Sequence, residues 1–490
     1  MHKGSITLYL SISMCLILSL ICYTVESCHL SALTCRAEGI SYICEDSLFS
    51  NYCLQLLEKY GLFALNSQDI NMDQSLLNYA KANCKTPKGI LGYHSSLLQL
   101  NIKNIDIDSI TYITDMDSQV FISQVNEYMK YRNVSQIIDN LIDISDTDFP
   151  DIYSQSEDGT PDINFSSIDV SLLDKYTDKN IELTGNTTED IDSIDSTTFM
   201  PSAIATLSHH LEYSLLACLV DDPTSVSTSA IEKTLLPSVT CQLSEDGLKA
   251  SYGYYKDTSK VTSEKAGLCQ YACEMFGCYT EPNNNNPLQY QMEYIISGQD
   301  SDDVNLLNAA YQLVALRAGL NLVHLVSDSD KFNAAWSIAQ SASAVPGLSY
   351  IIQGTILTVW ATAEAVIDVR LLLEGKSIPL LKSEKDWHLS INGLTSFSKD
   401  TVISHSNTAD SDDGLCYSEY LRMLIAAQNI ISVSYRTLDL IQLDICHTID
   451  EDFRISKCVT GAKIHLTYEL PFLMSSSSYT YNSYISYNYN

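Results

Sequence analysis

The feature that most constrains this chain of 490 residues is an uncharged run near its amino terminus. Between Lys3 and Glu26 lie 22 residues without a charged side chain, Gly4 to Val25. As an α-helix at about 1.5 Å per residue, the run is roughly 33 Å long and can cross a hydrocarbon core of about 30 Å. Cleaved secretory signals have shorter apolar regions, roughly 7 to 15 residues. The length therefore favours a retained membrane anchor, with Ile6 to Val25 as the transmembrane helix.

The charges around this run predict its orientation. Lys3 and the terminal amine precede it, and the positive-inside tendency then keeps residues 1–25 as a cytoplasmic tip and membrane span. Residues 26–490 would lie outside the cell membrane. Two alternatives remain open, which are a signal peptide cut ahead of Cys28 and a lipoprotein site at Cys28.

Helical periodicity continues beyond the membrane span. Apolar or small residues recur at steps of mostly three or four through residues 26–60, with only Gly39 interrupting. We therefore expect one continuous helix from about Ser5 to Tyr60, apolar in its first half and amphipathic in its second. Such a stalk helix could lie on a globular head.

The amino terminus resembles the pilin-like minor proteins of the tight-adherence (Flp) pilus group. The residues that carry the likeness are Lys3-Gly4, the following SITLYL and the long helix. In that group a prepilin peptidase cuts after a Gly that follows a basic residue, which implies processing between Gly4 and Ser5. The group has a Glu five residues after the cut, where this chain has Tyr9.

A wider resemblance is to an uncharacterised family of membrane-anchored proteins from Gram-positive anaerobes. It covers segments from both ends of the chain, including ESCHLSALTCRAE, SLFSNYCLQLLEKYGLF, LQYQMEYIISGQDSDDVN, WATAEAVIDVRLLLEGKSIPLL and YSEYLRMLIAAQNIISVSYRTLDLIQLDI. The resemblance implies a membrane location and a long-helix architecture, and it implies no activity.

The charge of the chain excludes an ordinary nucleic-acid binder. The formal net charge is -32 and the estimated pI is about 4.4, whereas nucleic acids are held by Lys and Arg at their phosphates. Half of the excess charge lies in residues 101–200, which have 21 Asp and Glu against 5 Lys and Arg. Residues 144–200 predict an acidic disordered segment. They lack a DxDxDG-type calcium loop.

The rest of the chain predicts two α+β regions, residues 26–143 and 201–474, followed by a Ser/Tyr/Asn tail, 475–490. Alternating apolar residues predict strands at 97–113, 290–296 and 464–470, and helical spacing predicts helices at 121–132, 204–219, 268–278, 303–374 and 417–445. The uncharged stretch 348–363 is interpreted as a buried helix rather than a second membrane span. The tail would be either disordered or an edge strand.

The cysteines and histidines give weak chemical signals. Cys15, Cys22, Cys28, Cys35, Cys44 and Cys53 lie along the predicted first helix, where partners seven residues apart are too distant for a disulfide. Bridges to Cys84 or between chains remain possible, but helix packing is the preferred role. Cys269, Cys273 and Cys278 lack the four ligands of a structural zinc site, and His209, His210 and Glu212 lack the HExxH arrangement. We expect no metal or cofactor.

The strongest candidate for chemistry is a pair of carboxylates on an apolar helix. Glu364 and Asp368 are one helical turn apart, Arg370 is nearby, and Arg317 lies on an earlier apolar helix. Paired carboxylates can perform acid and base catalysis, but buried carboxylates also require a charge partner. We expect a buried ion pair between Arg317 and Glu364.

Together these patterns predict an α+β protein with a long transmembrane and stalk helix followed by a mixed helix and sheet region outside the membrane. The expected function is that of a non-catalytic structural or accessory protein, with the lipid bilayer and pilin-like or secretion-assembly proteins as partners. One alternative is a secreted or surface-attached acidic binding protein after signal cleavage. Another is an exported hydrolase that uses Glu364 and Asp368.

Overall fold

The computed structural model describes most of the chain outside the acidic segment. The described residues are 3–85, 98–130, 153–155, 161–163, 196–241, 258–342, 346–408 and 414–489. The predicted disorder of residues 144–200 falls outside these ranges, apart from two three-residue strands and the first turn of a helix.

Helices and short strands alternate in the first half, in the order α1 (Lys3–Phe49), α2 (Leu54–Tyr60), β1 (Leu65–Asn66), α3 (Met72–Cys84), β2 (Asn101–Tyr112), α4 (Asp115–Lys130), β3 (Tyr153–Gln155), β4 (Pro161–Ile163), α5 (Ser196–Leu219) and α6 (Pro237–Thr240). Helices then dominate until two final strands, in the order α7 (Thr258–Met275), α8 (Gln291–Ser297), α9 (Asp302–Ser327), α10 (Ser329–Ala342), α11 (Pro346–Leu373), α12 (Lys399–Thr408), α13 (Tyr417–Ala427), α14 (Ile430–Thr448), β5 (Cys458–Pro471) and β6 (Ser478–Asn488). This mixture confirms the predicted α+β class.

The chain divides into two compact units. The helix–sheet unit contains Met1–Tyr128 and Asp450–Asn490, and the helical unit contains Met129–Ile449. This division differs from the predicted one, because the strands at the end of the chain belong with the first 128 residues and not with the region 201–474.

Strand β5 is the centre of the sheet in the helix–sheet unit. It pairs antiparallel with β2, where Ile105 faces Leu466, and with β6, where Ile464 faces Ile485. The two-residue strand β1 also pairs with the start of β5. The predicted strands at 97–113 and 464–470 are therefore confirmed, and the tail forms the edge strand that was one of its two predicted states.

The second half of α1 packs on this sheet. Leu33, Ala37, Ile40, Cys44 and Leu48 are buried at steps of three or four residues, in one cluster with β5 residues such as Leu466 and Leu470. The burial of a continuous apolar stripe is the main favourable term in such a unit.

Helix α1 ends at Phe49, so the prediction of one helix to Tyr60 is wrong. Asn51 turns back and donates its side-chain amide to the carbonyl oxygen of Ser47 at 2.7 Å. The Cys53 N–H donates to the carbonyl oxygen of Ala64 at 2.8 Å instead of continuing the helical ladder. Helix α2 then begins at Leu54 and ends at Tyr60, and it is followed by Gly61, whose φ of 68° is readily adopted by glycine.

The first half of α1 is exposed. Among the described residues, two helices are long and apolar enough to cross a membrane, Thr7–Phe49 and Asp302–Ser327. The most apolar part of the first has no buried residues, whereas that of the second is mostly buried. The hydroxyls in the exposed half bond within the helix: Ser11, Ser13, Ser19 and Thr24 each donate to a carbonyl three or four residues earlier. These four hydroxyls therefore have acceptors within the helix itself.

The helical unit is built around α11. Helices α9 and α10 pack along it, and every residue from Ile356 to Leu373 is buried. This burial favours the buried-helix interpretation of residues 348–363 over a second span. The predicted helical block 303–374 is confirmed as α9, α10 and α11, and the predicted helix at 417–445 is the pair α13 and α14.

Residues 290–296 are a helix, α8, and the predicted strand is wrong. All residues from Gln291 to Ser297 are buried, so Gln291 and Glu293 do not face water as the polar residues of an alternating strand would. Gln291 Oε1 and Glu293 Oε1 accept hydrogen bonds inside the protein. Polar residues of a buried helix therefore alternate with apolar ones here, and the sequence resembles that of a strand. The helix ends at Ser297 and is followed by Gly298, with φ 65°, where a Cβ would collide with the guanidinium of Arg436.

We expect Leu48→Ala to destabilise the helix–sheet unit by about 2–5 kcal/mol, because it leaves a cavity between α1 and the sheet. Tyr42→Ala, on the exposed face of the same helix, should change stability by no more than about 0.5 kcal/mol. Proteolysis at increasing urea concentration measures both. Equal protection of the two variants would contradict the packing described.

Candidate functional site

The candidate carboxylates lie in a buried ionic cluster between α9, α11 and the segment that follows α11. Glu364 and Asp368 are one turn apart on α11, and Arg317 is on α9. Lys382 and His388 come from the irregular segment 374–390, which folds back over the helices. Because residues four apart lie on the same face of a helix, Glu364 and Asp368 project from one side of α11.

Asp368 is held by Arg317 and Asn321. Its Oδ2 accepts from Arg317 Nε at 3.0 Å and from Asn321 Nδ2 at 3.0 Å, and Arg317 Nη2 is 2.9 Å from the same oxygen. The other oxygen, Oδ1, is 2.6 Å from Lys382 Nζ. Arg317 Nη1 also donates to the Tyr420 hydroxyl and to the carbonyl oxygens of Pro379 and Leu380.

Glu364 is held by Lys382, His388 and two backbone amides. Its Oε1 contacts Lys382 Nζ and lies 3.0 Å from His388 Nδ1. The His388 N–H donates to Oε1 at 2.9 Å, and the Leu389 N–H donates to Oε2 at 2.8 Å. Because an ionised carboxylate can only accept, His388 Nδ1 carries the hydrogen in this arrangement.

The predicted pairing of Arg317 with Glu364 is wrong in its partner. Arg317 pairs with Asp368, and Glu364 pairs with Lys382. Lys382 lies between the two carboxylates and forms an ion pair with each of them, whereas Arg317 pairs with Asp368 alone. No periodicity in residues 374–390 signals that this lysine returns to the helix, and sequence reasoning therefore missed it.

Aromatic rings cover the cluster. The Trp360 and Trp387 indole N–H groups both donate to the Leu389 carbonyl oxygen, at 2.8 and 2.7 Å. His324 stacks on Trp387 with ring centroids 5.1 Å apart, and Lys382 Nζ is 5.5 Å from the Trp387 ring centroid. These contacts exclude water from the ion pairs.

Acidic and basic side chains oppose one another in the cluster. Burial by itself would raise the pKa of Glu364, but Lys382 and the hydrogen bond from His388 outweigh it and lower the pKa to about 2. The two acidic side chains, Glu364 and Asp368, therefore face two basic ones, Arg317 and Lys382.

Three of these groups could converge on a metal ion, but their contacts do not fit one. Ligand atoms of Glu364, Asp368 and His388 lie within 4.8 Å of one another. Lys382 Nζ already contacts an oxygen of each carboxylate, and the remaining oxygens accept from Arg317, Asn321 and the Leu389 N–H. A cation would have to displace the lysine, so the donor set suits a protein ammonium group.

Arg370 lies outside this cluster. Its Nη1 donates to the Cys218 carbonyl oxygen at 3.0 Å, its Nε is 2.7 Å from Glu374, and Nη2 pairs with Asp221. It therefore joins α11 to the end of α5 and does not act on Glu364 or Asp368.

A second buried acidic site was missed because residues 290–296 were predicted as a strand. Glu293 on α8 accepts from the Tyr279 N–H and the Tyr417 hydroxyl, both at 2.8 Å, through Oε1. Its Oε2 has no hydrogen-bond partner among the described residues. Burial raises the pKa of Glu293 to about 7, and among the described residues no cation lowers it.

Two further buried aspartates frame α8. Asp302 accepts from the Ser227 hydroxyl and the Gln289 and Tyr290 N–H groups. Asp439 accepts from the Tyr294 hydroxyl at 2.8 Å and the Ser238 N–H at 2.9 Å, and burial raises its pKa to about 6. These carboxylates tie the loops around α8 to the core.

The cysteines are free thiols. This holds for all 15, including Cys15, Cys22, Cys28, Cys35, Cys44, Cys53 and Cys84. Burial raises the pKa of Cys269 and of Cys273 to about 12 and that of Cys278 to about 11, so these thiols stay protonated. His209, His210 and Glu212 lie on α5, and the side chains of the last two are outside the described residues.

The residues of the predicted anchor lie on α1. Gly4 and Ser5 are in its first turn, and Ile6 to Val25 continue it without a break. Whether Gly4 is a processing site stays a prediction.

Both buried acidic sites lie within the part of the chain that matches a known family. Residues 197–470 match a family of unknown function, DUF5702. The match covers more than half of the chain, and the protein therefore belongs to this family. It agrees with the predicted uncharacterised family and adds nothing to the resemblance to pilin-like proteins. Searches of curated proteins and of solved structures find no match.

We expect Lys382→Met to destabilise the helical unit by about 3–5 kcal/mol, because it leaves two buried carboxylates with one cation. Lys385→Met, three residues later and exposed, is the matched control. The three tryptophans of the chain, Trp336, Trp360 and Trp387, all lie in the helical unit, so tryptophan fluorescence in urea follows its unfolding selectively. Equal urea midpoints for the two variants would show that the cluster contributes little.

The raised pKa of Glu293 and the lowered pKa of Glu364 predict opposite effects of pH on the stability of the folded protein. The pKa of Glu293 is higher in the folded protein than its ordinary value of 4.5, so the folded state holds the proton more tightly than the unfolded state. Its contribution is fully present below about pH 4.5 and is lost as the pH rises to 7. Glu293→Gln should flatten this part of the stability curve in urea titrations at several pH values. An unchanged slope would contradict the assignment.

Proposed function

We propose that this protein is a non-catalytic, membrane-anchored structural or accessory protein whose two units lie outside the cell membrane. The observation that carries this proposal is the continuity of α1, which passes from an exposed apolar half to a half buried in a folded unit without interruption.

The exposed half has the properties of a membrane span. From Leu8 to Val25 its large apolar side chains are exposed, and an exposed apolar surface of this length is costly in water. Hydroxyls within it bond to the helix backbone, as lipid requires. Lys3 on one side and Glu26 on the other delimit it, which supports a cytoplasmic amino terminus.

The buried half makes the anchor a rigid part of the unit. Strands β5 and β6 of the same chain cover it, so its burial does not require further copies or partner pilins. A helix that is lipid-embedded at one end and packed on an antiparallel sheet at the other supports a pilin-like role in a pilus or secretion assembly. Partner pilins would then contact the exposed face of α1 near Tyr42.

The buried ionic cluster supports a structural rather than a catalytic role. The side chains of Glu364, Asp368 and Lys382 are no more than 1% exposed, and their charged atoms contact one another and Arg317 or His388. A general acid or base has to reach a substrate proton at hydrogen-bond distance. These contacts favour a cluster that joins α9, α11 and the segment 374–390.

We expect the wild-type protein to stay in the membrane pellet after alkaline carbonate washing. The double substitution Leu16→Arg with Ile17→Arg should release it, because each Arg at the centre of a span costs about 2.5–3.5 kcal/mol on insertion scales. Tyr42→Arg, on the exposed face of the buried half, is the control and should stay in the pellet.

Two results would contradict the anchor. One is wild-type protein that carbonate washing removes intact. The other is mature protein in the medium whose sequenced amino terminus is Cys28, which would favour the secreted binding protein instead.

A further inference from the structure

The turn between β5 and β6 lies beside the end of the exposed half of α1. The Leu473 N–H donates to Glu26 Oε1 at 3.0 Å, and the Met474 N–H donates to Glu26 Oε2 at 3.2 Å. We call residues 472–477 the hairpin tip. All of these residues belong to the helix–sheet unit.

The contacts along α1 show that the hairpin tip is at one end of the sheet. Beyond Glu26, the Tyr481 hydroxyl donates to Glu38 Oε1 at 2.6 Å, and the hydroxyls of Ser41 and Tyr468 are hydrogen-bonded at 2.9 Å. Further along the helix, the Phe49 ring stacks on the Tyr487 ring. Strand β6 therefore runs alongside α1 in the same direction, and the tip is the part of the sheet nearest to the apolar half of the helix.

The hairpin tip has the chemistry of a surface that enters the interfacial layer of a bilayer. Leu473 is 40% and Met474 60% exposed, and the neighbouring Tyr479 is 50% exposed. Residues 470–490 contain no Asp, Glu, Lys or Arg. Apolar and aromatic side chains on a segment that itself has no charged residue favour the boundary between headgroups and acyl chains.

The backbone at the tip is also prepared for a less polar environment. Unpaired N–H groups are costly to move out of water, and Glu26 accepts those of Leu473 and Met474. The Phe472 N–H donates to the Ser477 carbonyl oxygen at 3.2 Å, and the Ser477 N–H to the Ser475 hydroxyl at 3.1 Å. The tip can therefore approach lipid without leaving these donors unsatisfied.

We infer that the hairpin tip inserts Leu473 and Met474 into the outer interfacial layer of the bilayer, as a second lipid contact beside α1. This inference rests on the proposed anchor, because Glu26 is the first charged residue after the span and so marks the membrane surface. A helix alone can rotate and tilt in lipid, whereas two contacts fix the orientation of the helix–sheet unit.

The test uses the full chain reconstituted into phosphatidylcholine vesicles, with and without bromine on the acyl chains. Bromine quenches tryptophan emission on contact, and the emission of the wild-type protein, from Trp336, Trp360 and Trp387, is subtracted. We expect Leu473→Trp to lose emission in brominated vesicles and its emission to shift to shorter wavelength in lipid. Tyr484→Trp is the control, since it is exposed on β6 and six residues, or roughly 20 Å, beyond Ser478. It should lose none.

Met474→Trp repeats the measurement in case Leu473→Trp disturbs the turn. Each sample is also washed with alkaline carbonate. Retained protein in which neither tip variant is quenched more than Tyr484→Trp would overturn the lipid contact while leaving the anchor intact, and would favour a protein partner at the tip. Protein that the wash removes would overturn both proposals.

Discussion

The rest of the helix–sheet unit depends on one constraint, the continuity of α1. Its apolar half is exposed, and its second half supplies the stripe on which β2, β5 and β6 assemble. The sheet draws on both ends of the chain, because β2 comes from the first 128 residues and β5 and β6 come after residue 450. The helical unit is therefore an insertion between two parts of one core. Such long-range pairing carries a large loop-closure cost and slows folding, and the buried stripe of α1 offsets that cost.

The helical unit accommodates buried carboxylates in two ways. Glu364 and Asp368 lie between Arg317 and Lys382, and water is excluded by Trp360 and Trp387. Glu293 pairs with no cation in the part of the chain that the structure describes, and burial instead favours its protonated form. Both arrangements connect irregular segments to buried helices, since Lys382 and His388 hold the segment after α11 and Tyr279 holds the loop before α8. Removing one partner costs more than the pair contributes, which makes these sites sensitive points of the fold.

Sequence patterns predicted elements well where one face met water and the other met the core. The alternation in 101–112 and 464–470 and the helical spacing in α9 and α10 arise in this way, and the structure confirms them. The pattern failed for α8, because every face of that helix is buried and its polar residues bond internally. It also failed at residues 50–53, where a side-chain hydrogen bond and one contact with Ala64 end α1 inside a periodic stretch.

The sequence by itself determined the long apolar run, the α+β class and the carboxylate pair on an apolar helix, since composition and periodicity depend on near neighbours along the chain. Only the tertiary structure decided that the last strands pack with the first helix, that Lys382 rather than Arg317 pairs with Glu364, and that the hairpin tip forms hydrogen bonds with Glu26. Each of these contacts joins residues that are separated along the chain, from 18 between Glu364 and Lys382 to 447 between Glu26 and Leu473. Local patterns carry no information about such contacts, because they depend on how the folded elements pack.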